Sequence, residues 1–362
     1  MKKVFRLIGL VIAGVLLQSQ GCQEVSQGVC QGEWTATPGT PVGLDAGTQL
    51  TVGFYNVENL FDTLDDVRNA EDDWLLEEEA IGWDEGNYEI KLQNLSRAIS
   101  SMDEGGPDLL GIAEVENACV LADLIHTESL SPKGYRIVHE ESGDHRGIDV
   151  AFLYDPNFFT YQSHKTYTVT FANTDYTSRD ILAVEGSIDG QHLWVIVNHW
   201  PSRGGGQVET APKRMAAARR VRSLVDDLTN ADPEVGIIVM GDFNDDPTDP
   251  SIMSVLGAED EADEDLDVSE LFNPMAAIHD PESEGSLTYR GKYNLFDQIM
   301  LNGSLLDSKK PLSYVPGSVS IHHPNFMRFR GRGPSRAIHR GEFKPYGFSD
   351  HFPVMVTLSA NQ

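Results

Sequence analysis

The sequence has few cysteines, few basic residues and little continuous apolar sequence. Three cysteines in 362 residues exclude a disulfide-rich scaffold, and their spacing matches no metal-binding pattern. The apolar stretch Leu7–Leu17 is too short to cross a bilayer as a helix. Only 27 basic residues accompany 56 acidic ones, which gives a net charge of −29. Taken over the whole chain, this charge argues against non-specific attraction to nucleic acid or anionic lipid, because both are polyanions.

The N-terminus has the pattern of a signal peptide spanning residues 1–21. Lys2, Lys3 and Arg6 precede the apolar stretch, and small residues follow it. Cys22 directly after Gly21 resembles the lipobox of bacterial lipoproteins, which predicts a lipidated, membrane-anchored protein. The small residues also suit ordinary signal peptidase, so a secreted or periplasmic protein is the alternative. Residues 22–48 are rich in Gly, Pro, Thr, Gln and Ser and are predicted to form a tether.

The two cysteines beyond Cys22 are expected to be unpaired thiols. Cys30 lies in the predicted tether, and Cys119 lies in a predicted helix where we expect it to be buried. In an exported protein Cys30 and Cys119 could instead pair with each other, but sequence alone does not show that their Cα atoms come within bonding range.

Residues 49–360 read as one α/β domain. Apolar stripes at helical spacing run from Leu95 to Met102 and from Val221 to Leu228. Strands outnumber helices, which favours two packed mixed sheets with helices on the outer faces. The predicted strands are Leu50–Val57, Asp108–Ala113, Ile148–Tyr154, Ile181–Ile188, His192–Asn198, Val235–Met240, Gln298–Leu301 and Pro353–Leu358.

Acids, amides and histidines gather at the ends of these strands. Any one of them alone is explained as a turn residue, but the occurrence of such polar side chains at five strand ends indicates a shared site. Carboxylate and amide oxygens suit a hard divalent cation such as Mg²⁺, and histidines can contact phosphate or move protons. The residues are Asn56, Glu58, Glu114, Asn198, His199, Asp242, Asn244, Asp350 and His351.

Six segments, in this order, resemble the motif set of the endonuclease/exonuclease/phosphatase superfamily. The resemblance covers residues 49–360 and implies a four-layer α/β sandwich, of α+β type, that hydrolyses phosphoester bonds at a divalent-metal site. Relatives include pancreatic-type deoxyribonucleases, apurinic-site endonucleases, sphingomyelinases and inositol-polyphosphate phosphatases. The segments are Phe54–Asn59, Pro107–Val115, Val197–His199, Gly241–Asn244, Leu295–Ile299 and Ser349–Val354.

The resemblance implies a metal site built around Glu114. Asn56 would lie beside this principal ligand, with Glu58 and Asp350 nearby, directly or through water. Mg²⁺ is the expected metal, with Mn²⁺ or Ca²⁺ as alternatives.

The resemblance also implies the catalytic groups. Asp242 and Asn244 would orient and deprotonate the attacking water, and Asp297 would orient His351 beside the phosphate. His199 would contact phosphate or protonate the leaving oxygen.

The histidine motif departs from that of many relatives. His199 directly follows Asn198, whereas many relatives have one residue between the two. A shift of one residue along a strand changes the face to which a side chain points, unless a bulge restores it. Nearby, Arg203 and three glycines are a candidate phosphate-binding loop, and Arg146 is a second candidate phosphate contact. A flexible hairpin tip explains the glycines equally well.

The expected substrate is a nucleic acid. Phe326, Met327 and Phe329 alternate with arginines, which suits a nucleic-acid backbone and its bases. Residues 203–222 and 322–344 each carry six basic residues against a single glutamate, so the local charge does not exclude a polyanion. Alternatives are a phosphodiesterase or phosphatase acting on a lipid or small organic phosphoester, and a non-catalytic binding module. No protein partner is indicated.

Overall fold

The computed structural model describes residues 32–64, 81–171, 176–261 and 266–361. The predicted signal peptide, Cys22 and Cys30 lie outside these residues. Three α-helices are present in the described part: α1 Glu85–Ser100, α2 Ala118–Ile125 and α3 Gln207–Ala231. Short 3₁₀ helices cover Ser131–Lys133, Pro274–Ile278, Gly303–Leu305, Asn325–Met327 and Phe329–Gly331, and Ser251–Leu256 form a π-helix.

The strands agree with those predicted and add several more. They are β1 Gln49–Leu60, β2 Leu109–Val115, β3 Arg136–His139, β4 Asp149–Tyr154, β5 Thr160–Tyr167, β6 Ile181–Ile188, β7 Gln191–His199, β8 Gly236–Asp242, β9 Ala258–Glu259, β10 Leu271–Phe272, β11 Leu287–Tyr289, β12 Lys292–Asn294, β13 Asp297–Asn302, β14 Leu312–Tyr314, β15 Ser320–Ile321 and β16 Val354–Ala360.

Two large mixed sheets form the centre of the domain. The first has the order β14-β16-β1-β2-β4-β3, with β15 beside β16, and the second has the order β5-β6-β7-β8-β13-β10-β9. β1 and β2 are parallel in the first sheet, and β7 and β8 are parallel in the second. β11 and β12 form a separate hairpin. The predicted pair of mixed sheets is confirmed.

Strand β8 shows why the central strands are continuous runs of apolar residues. Its residues alternate between two hydrophobic clusters. Ile238 and Met240 face the first sheet, whereas Ile237 and Val239 pack with α3 on the outer face. A strand covered on both faces has no solvent side, so it needs no polar alternation. The same pattern places α1 outside the first sheet through Leu95 and Ile99.

Strand β5 went unpredicted because it lies at a sheet edge. It pairs only with β6, and several of its side chains are partly or fully exposed. Its polar composition therefore lacks the apolar run by which the central strands were recognised.

The packed part of the chain begins before the predicted boundary at residue 49. Trp34 O accepts a hydrogen bond from Ile137 N at 2.9 Å, and Leu44 N donates to Asp189 Oδ1 at 3.0 Å. Part of the predicted tether thus lies along the domain. Among the described residues, no helix is both long enough and apolar enough to span a membrane.

Cys119 forms a disulfide bond, so the expectation of an unpaired thiol is wrong. The residue is also half-buried rather than buried. The only other cysteines, Cys22 and Cys30, lie outside the described residues. Sequence spacing could not reveal this bond, because disulfide formation depends on the distance between Cα atoms in the folded chain.

Close approach of two strands, rather than a left-handed backbone, explains the glycine before Asp242. Gly241 pairs with Asn198 of β7, and a Cβ atom at residue 241 would lie 2.3 Å from Asn198 O. Gly241 is not among the glycines with positive φ. The glycine at position 241 is therefore required by the packing of β8 against β7.

We expect Gly241→Ala to lower the free energy of unfolding by about 1–3 kcal/mol, because the added methyl group forces β7 and β8 apart. Urea denaturation measures this change. Gly39→Ala is the matched control, since its Cβ would make an ordinary 3.5 Å contact with Thr160 Cγ2. Equal effects of the two substitutions would contradict the packing explanation.

Candidate active site

The polar strand ends meet at one edge of the paired sheets. In the second sheet, Asp242 pairs with both His199 and Asp297. In the first sheet, Asn56 pairs with Ala113, directly before Glu114. His351 lies just before β16, which pairs with β1. Strand register thus brings together residues that are far apart in sequence.

The Asn56 amide joins carboxylates from both sheets. Its Nδ2 donates to Asp242 Oδ2 at 3.0 Å and to Glu114 Oε1 at 3.3 Å. Asn59 N donates to the other Glu114 oxygen at 3.1 Å. His199 Nε2 lies 3.5 Å from Asp242 Oδ2 and 3.8 Å from Glu114 Oε1. Two carboxylates, one amide and one imidazole therefore form a compact cluster.

His351 is held by a buried carboxylate. Its Nδ1 lies 2.6 Å from Asp297 Oδ2, and Ser349 Oγ accepts its backbone N–H at 3.0 Å. Its Nε2 lies 3.8 Å from Asp242 Oδ2, which is beyond hydrogen-bond distance. The ring is therefore fixed on one side, and its second nitrogen faces the cluster.

The two histidines have opposite pKa shifts. Burial, reinforced by Arg179, Arg146 and His351, lowers the pKa of His199 well below its usual value. Burial also lowers the pKa of His351, but the Asp297 and Asp242 carboxylates outweigh it, and the net shift is upward. The structure thus favours a neutral His199 beside an imidazolium at His351.

Asp242 has the pKa of a general base that works near neutral pH. Burial raises its pKa to about 7, although His351 opposes the shift. Its Oδ1 accepts the Asn244 N–H at 2.9 Å. Asn244 Nδ2 in turn donates to Trp200 O at 3.0 Å, so the amide is anchored beside the carboxylate.

Several site residues have left-handed backbone conformations. Glu58, Asn59, Glu114 and Asn244 have φ values of 53°, 55°, 65° and 51°. Such values are uncommon for residues other than glycine and cost free energy unless the surroundings hold them in place. Strained backbone therefore occurs at the strand ends that carry the polar site residues.

His199 points into the site without a bulge. β7 and β8 keep a regular register up to the pair His199 and Asp242. Alternation along β7 sends Asn198 to the opposite face, where its Nδ2 donates to Met240 O and its Oδ1 accepts from Trp200 Nε1. The one-residue shift in the motif thus leaves the histidine, rather than the asparagine, in the cluster.

Glu58 and Asp350 contact residues 336–338, which lie before β16 in the sequence. Glu58 Oε2 accepts the Ala337 N–H at 2.6 Å, and burial followed by Asp350 raises the pKa of Glu58 to about 8. Asp350 Oδ2 lies 3.3 Å from an Arg336 nitrogen, and its Oδ1 lies 3.9 Å from His351 Nε2. Asp350 therefore borders the cluster, whereas Glu58 is bound by backbone N–H groups.

The two candidate phosphate contacts have different surroundings. Arg146 reaches the cluster, with a guanidinium nitrogen 2.6 Å from Asn59 Oδ1 and 3.8 Å from Glu114 Oε2. Arg203 is bound by three carboxylates and stacks over the Phe296 ring at 4.4 Å. Its carboxylate partners are Asp245, Asp246 and Asp249 at 3.0, 3.3 and 2.5 Å. Arg203 thus stabilises the loop after β8 and is not free to bind phosphate.

Lys91 is a buried cation beneath the site that sequence reasoning missed. Its Nζ donates to Val57 O, Glu58 O and Phe348 O at 2.6, 3.0 and 2.9 Å. It thereby joins the end of β1 to the segment before Asp350. A signal was present, because Lys91 precedes Leu95 by four residues on the apolar face of α1.

Two groups of described residues have spacing that could hold a metal ion. One comprises Asp242, Asp297 and His351, and the other comprises His139, Glu141 and Asp149. In the first group the close contact between His351 and Asp297 already occupies the facing atoms.

A comparison with models of protein families shows to which family the chain belongs. The model described as the endonuclease/exonuclease/phosphatase family matches residues 51–360. The chain belongs to this family. It is therefore a phosphoric ester hydrolase, and members of this family depend on a divalent metal. No curated protein matches the chain by sequence.

Solved structures of the family share the fold at low sequence identity. TDP2 from C. elegans is 16% identical, with a TM-score of 0.53 over 88% of this chain and 77% of that one. D. rerio TDP2 complexed with single strand DNA product is 14% identical, with a TM-score of 0.52 over 86% and 99%. The mannosyl-6-phosphatase of Bacteroides thetaiotaomicron is 16% identical, with a TM-score of 0.52 over 85% and 99%. Identities this low support the fold alone.

We expect Asp297→Asn to lower kcat by about 100-fold, because the amide cannot stabilise a protonated His351. Hydrolysis of bis-p-nitrophenyl phosphate and its pH profile measure the effect. Asp232→Asn is the matched control, since Asp232 Oδ2 lies 2.8 Å from His192 Nδ1 in a half-buried His–Asp pair away from the site. An unchanged pH profile for Asp297→Asn would contradict the role assigned to this pair.

We expect Lys91→Met to lower the free energy of unfolding by about 3 kcal/mol, because three buried carbonyls lose their donor. Urea denaturation measures the loss. Lys165→Met, at an exposed position of β5, is the control. Comparable stability of both variants would refute the structural importance of Lys91.

Proposed function

We propose that the chain is an exported, Mg²⁺-dependent phosphodiesterase that acts as a nuclease. The observation that carries this proposal is the convergence of polar residues from both sheets at one edge. Asn56 contacts Glu114 and Asp242 at once, while His199 and His351 face the same carboxylates. This combination offers oxygen ligands, a buried base and imidazole groups in one place.

The donor set fits a hard divalent cation. Glu114 lies at the centre of the proposed metal site, with Asp350 supplying further oxygens and Glu58 farther out. Asn56 Nδ2 holds the Glu114 carboxylate, while Asn56 Oδ1 accepts the Glu58 N–H. Carboxylate and amide oxygens are the ligands that Mg²⁺ takes, and Mn²⁺ or Ca²⁺ accept the same groups. A bound metal would polarise a phosphoryl oxygen and stabilise the charge that develops during hydrolysis.

The residues of the chain provide the proton chemistry. Asp242 accepts a proton from the attacking water, because a base with a pKa of about 7 is both available and strong enough near neutral pH. Asn244 holds the Asp242 carboxylate through its backbone N–H. His351, oriented by Asp297, presents Nε2–H to a phosphate oxygen, and neutral His199 contacts the same phosphate or the leaving oxygen. Arg146 adds positive charge beside Glu114.

Support for a nucleic-acid substrate comes from two sources. A D. rerio TDP2 structure of the same fold contains a single strand DNA product. In this chain, the segment of residues 322–344 remains rich in arginine beside the site. The similar fold of a mannosyl-6-phosphatase makes a phosphatase acting on a small organic phosphoester the second candidate.

The N-terminal pattern supports export. Residues 1–21 are proposed to be a signal peptide and Cys22 a lipidation site, with the following residues as a short tether to a membrane. Secretion without a lipid remains the alternative, because small residues precede Cys22. Mass spectrometry of the N-terminus of the native protein distinguishes the two.

A substrate panel tests the proposed activity. We expect the protein with Mg²⁺ to cleave plasmid or single-stranded DNA, and excess EDTA to abolish cleavage. Glu114→Gln should lower the rate by at least about 100-fold, since it removes the central metal carboxylate. The control is Glu128→Gln, which makes the same change at an exposed residue. Cleavage of RNA, sphingomyelin or a sugar phosphate instead would reassign the substrate, and no hydrolysis of any phosphoester would favour a binding module.

A further inference from the structure

A cavity of about 530 Å³ lies between residues 329–334 and the β11–β12 hairpin. Its lining combines arginine, aromatic and hydroxyl side chains. Gly333 packs so closely against the hairpin that a Cβ there would meet Thr288 Oγ1 at 2.4 Å. The cavity is lined by Thr288, Phe329, Arg330, Arg332, Gly333 and Pro334.

The cavity is adjacent to the proposed catalytic histidine. Leu287 forms a β-bridge with His351, and Phe352 N donates to Ser286 O at 2.6 Å. Thr288 is the next residue along the hairpin. Because Leu287 is bridged to His351, the Cα atom of Thr288 lies at most about 10 Å from the Cα atom of His351. Arg336, two residues after Pro334 of the cavity lining, contacts Asp350, so a ligand in the cavity would lie on the chain segment that borders the polar cluster.

Two arginines at the cavity have no carboxylate partner among the described residues. Elsewhere in residues 322–344, Arg336 contacts Asp350, Lys344 contacts Glu342, and Arg328 donates to His323 O. Arg330 stacks with Phe329, its guanidinium carbon lying 5.1 Å from the ring centroid, and Arg332 has no ion pair with any residue that the structure describes. In a chain with a net charge of −29, unpaired neighbouring arginines mark a local site for anions.

The other basic stretch does not offer such a site. Within residues 203–222, Arg203 is bound by three carboxylates, Arg214 lies 2.7 Å from Asp245, and Arg222 lies 2.8 Å from Asp226. Lys213 and Arg220 stack on tyrosine rings, and Arg219 is exposed on α3. None of these cations lines the cavity, whereas Arg330 and Arg332 do.

We propose that this cavity is a second phosphate subsite, in which Arg330 and Arg332 bind the phosphate next to the scissile one in a nucleic-acid strand. This inference rests on the proposed nuclease function. Phe329, whose side chain is 58% exposed, offers its ring for stacking with a base of the same strand. Thr288 Oγ1 provides a further polar group at the cavity wall.

The composition of the lining favours a strand over a membrane surface. Phe329 is stacked with Arg330, so its ring could enter lipid only if a charged guanidinium were removed from water with it. Arginine beside an aromatic ring suits a phosphate followed by a base, because the guanidinium binds the anion and the ring stacks.

The test compares substrates with and without a second phosphate. The double variant Arg330→Gln, Arg332→Gln is assayed with Mg²⁺ on a single-stranded DNA oligonucleotide and on bis-p-nitrophenyl phosphate, which has one phosphate. We expect the KM for the oligonucleotide to rise about 10-fold with kcat unchanged, because the lost contacts bind ground state and transition state alike. The rate on bis-p-nitrophenyl phosphate should not change.

Salt dependence gives an independent readout. Each phosphate contact to a single strand contributes about −0.7 to the slope of log affinity against log salt concentration. The slope of the double variant should therefore be less steep by up to about 1.4. Arg219→Gln, the same type of substitution at an exposed position on α3, is the control and should leave KM and slope unchanged. Thermal melting checks that the variants remain folded.

The outcomes separate this inference from the function on which it rests. If the wild type cleaves the oligonucleotide and the double variant has the same KM and salt slope, the subsite is refuted while the nuclease stands. If the wild type hydrolyses only bis-p-nitrophenyl phosphate, the nuclease proposal and the subsite both fall. Loss of binding to phosphatidylglycerol vesicles, with oligonucleotide cleavage unaffected, would assign the surface to lipid and overturn the subsite.

Discussion

The hydrogen bonds of Asn56 connect the two sheets at the point where the chemistry is concentrated. Glu114 belongs to the first sheet and Asp242 to the second, and the Asn56 amide contacts both. This geometry requires the sheets to pack with β1 and β2 against β8 and β13. Close strand packing, as at Gly241, and the buried Lys91 ammonium keep these strand ends in place. The site is therefore a consequence of how two sheets meet.

Burial then divides similar groups into different roles. His199 and His351 lie against the same carboxylate, yet their pKa values shift in opposite directions because only His351 has Asp297 as a close partner. Burial raises the pKa of the Asp242 carboxylate to about 7. Pairs of titratable groups with separated pKa values are typical of acid–base catalysis.

The central strands and the motif residues were predictable because they depend on local pattern. Strands covered on both faces need continuous apolar sequence, and their polar ends stand out against it. The edge strand β5 and the ordered residues before 49 were not predicted, since polar and turn-rich segments follow no such pattern. Arg203 could not be separated from Arg146 by sequence, because both look like candidate phosphate ligands. Only the folded loop after β8 surrounds Arg203 with carboxylates.

The sequence by itself determined the family, the paired mixed sheets and the set of polar strand-end residues, because these follow from periodicity and from ordered motifs. Tertiary structure decided which side chains face each other, which histidine gains a carboxylate, and that Cys119 forms a disulfide. It also decided where the −29 charge is locally reversed, since within the described ranges Arg330 and Arg332 have no carboxylate partner, while Arg203 is neutralised by three carboxylates. Those properties depend on distances across the fold, and distances between remote residues are not encoded in local sequence pattern.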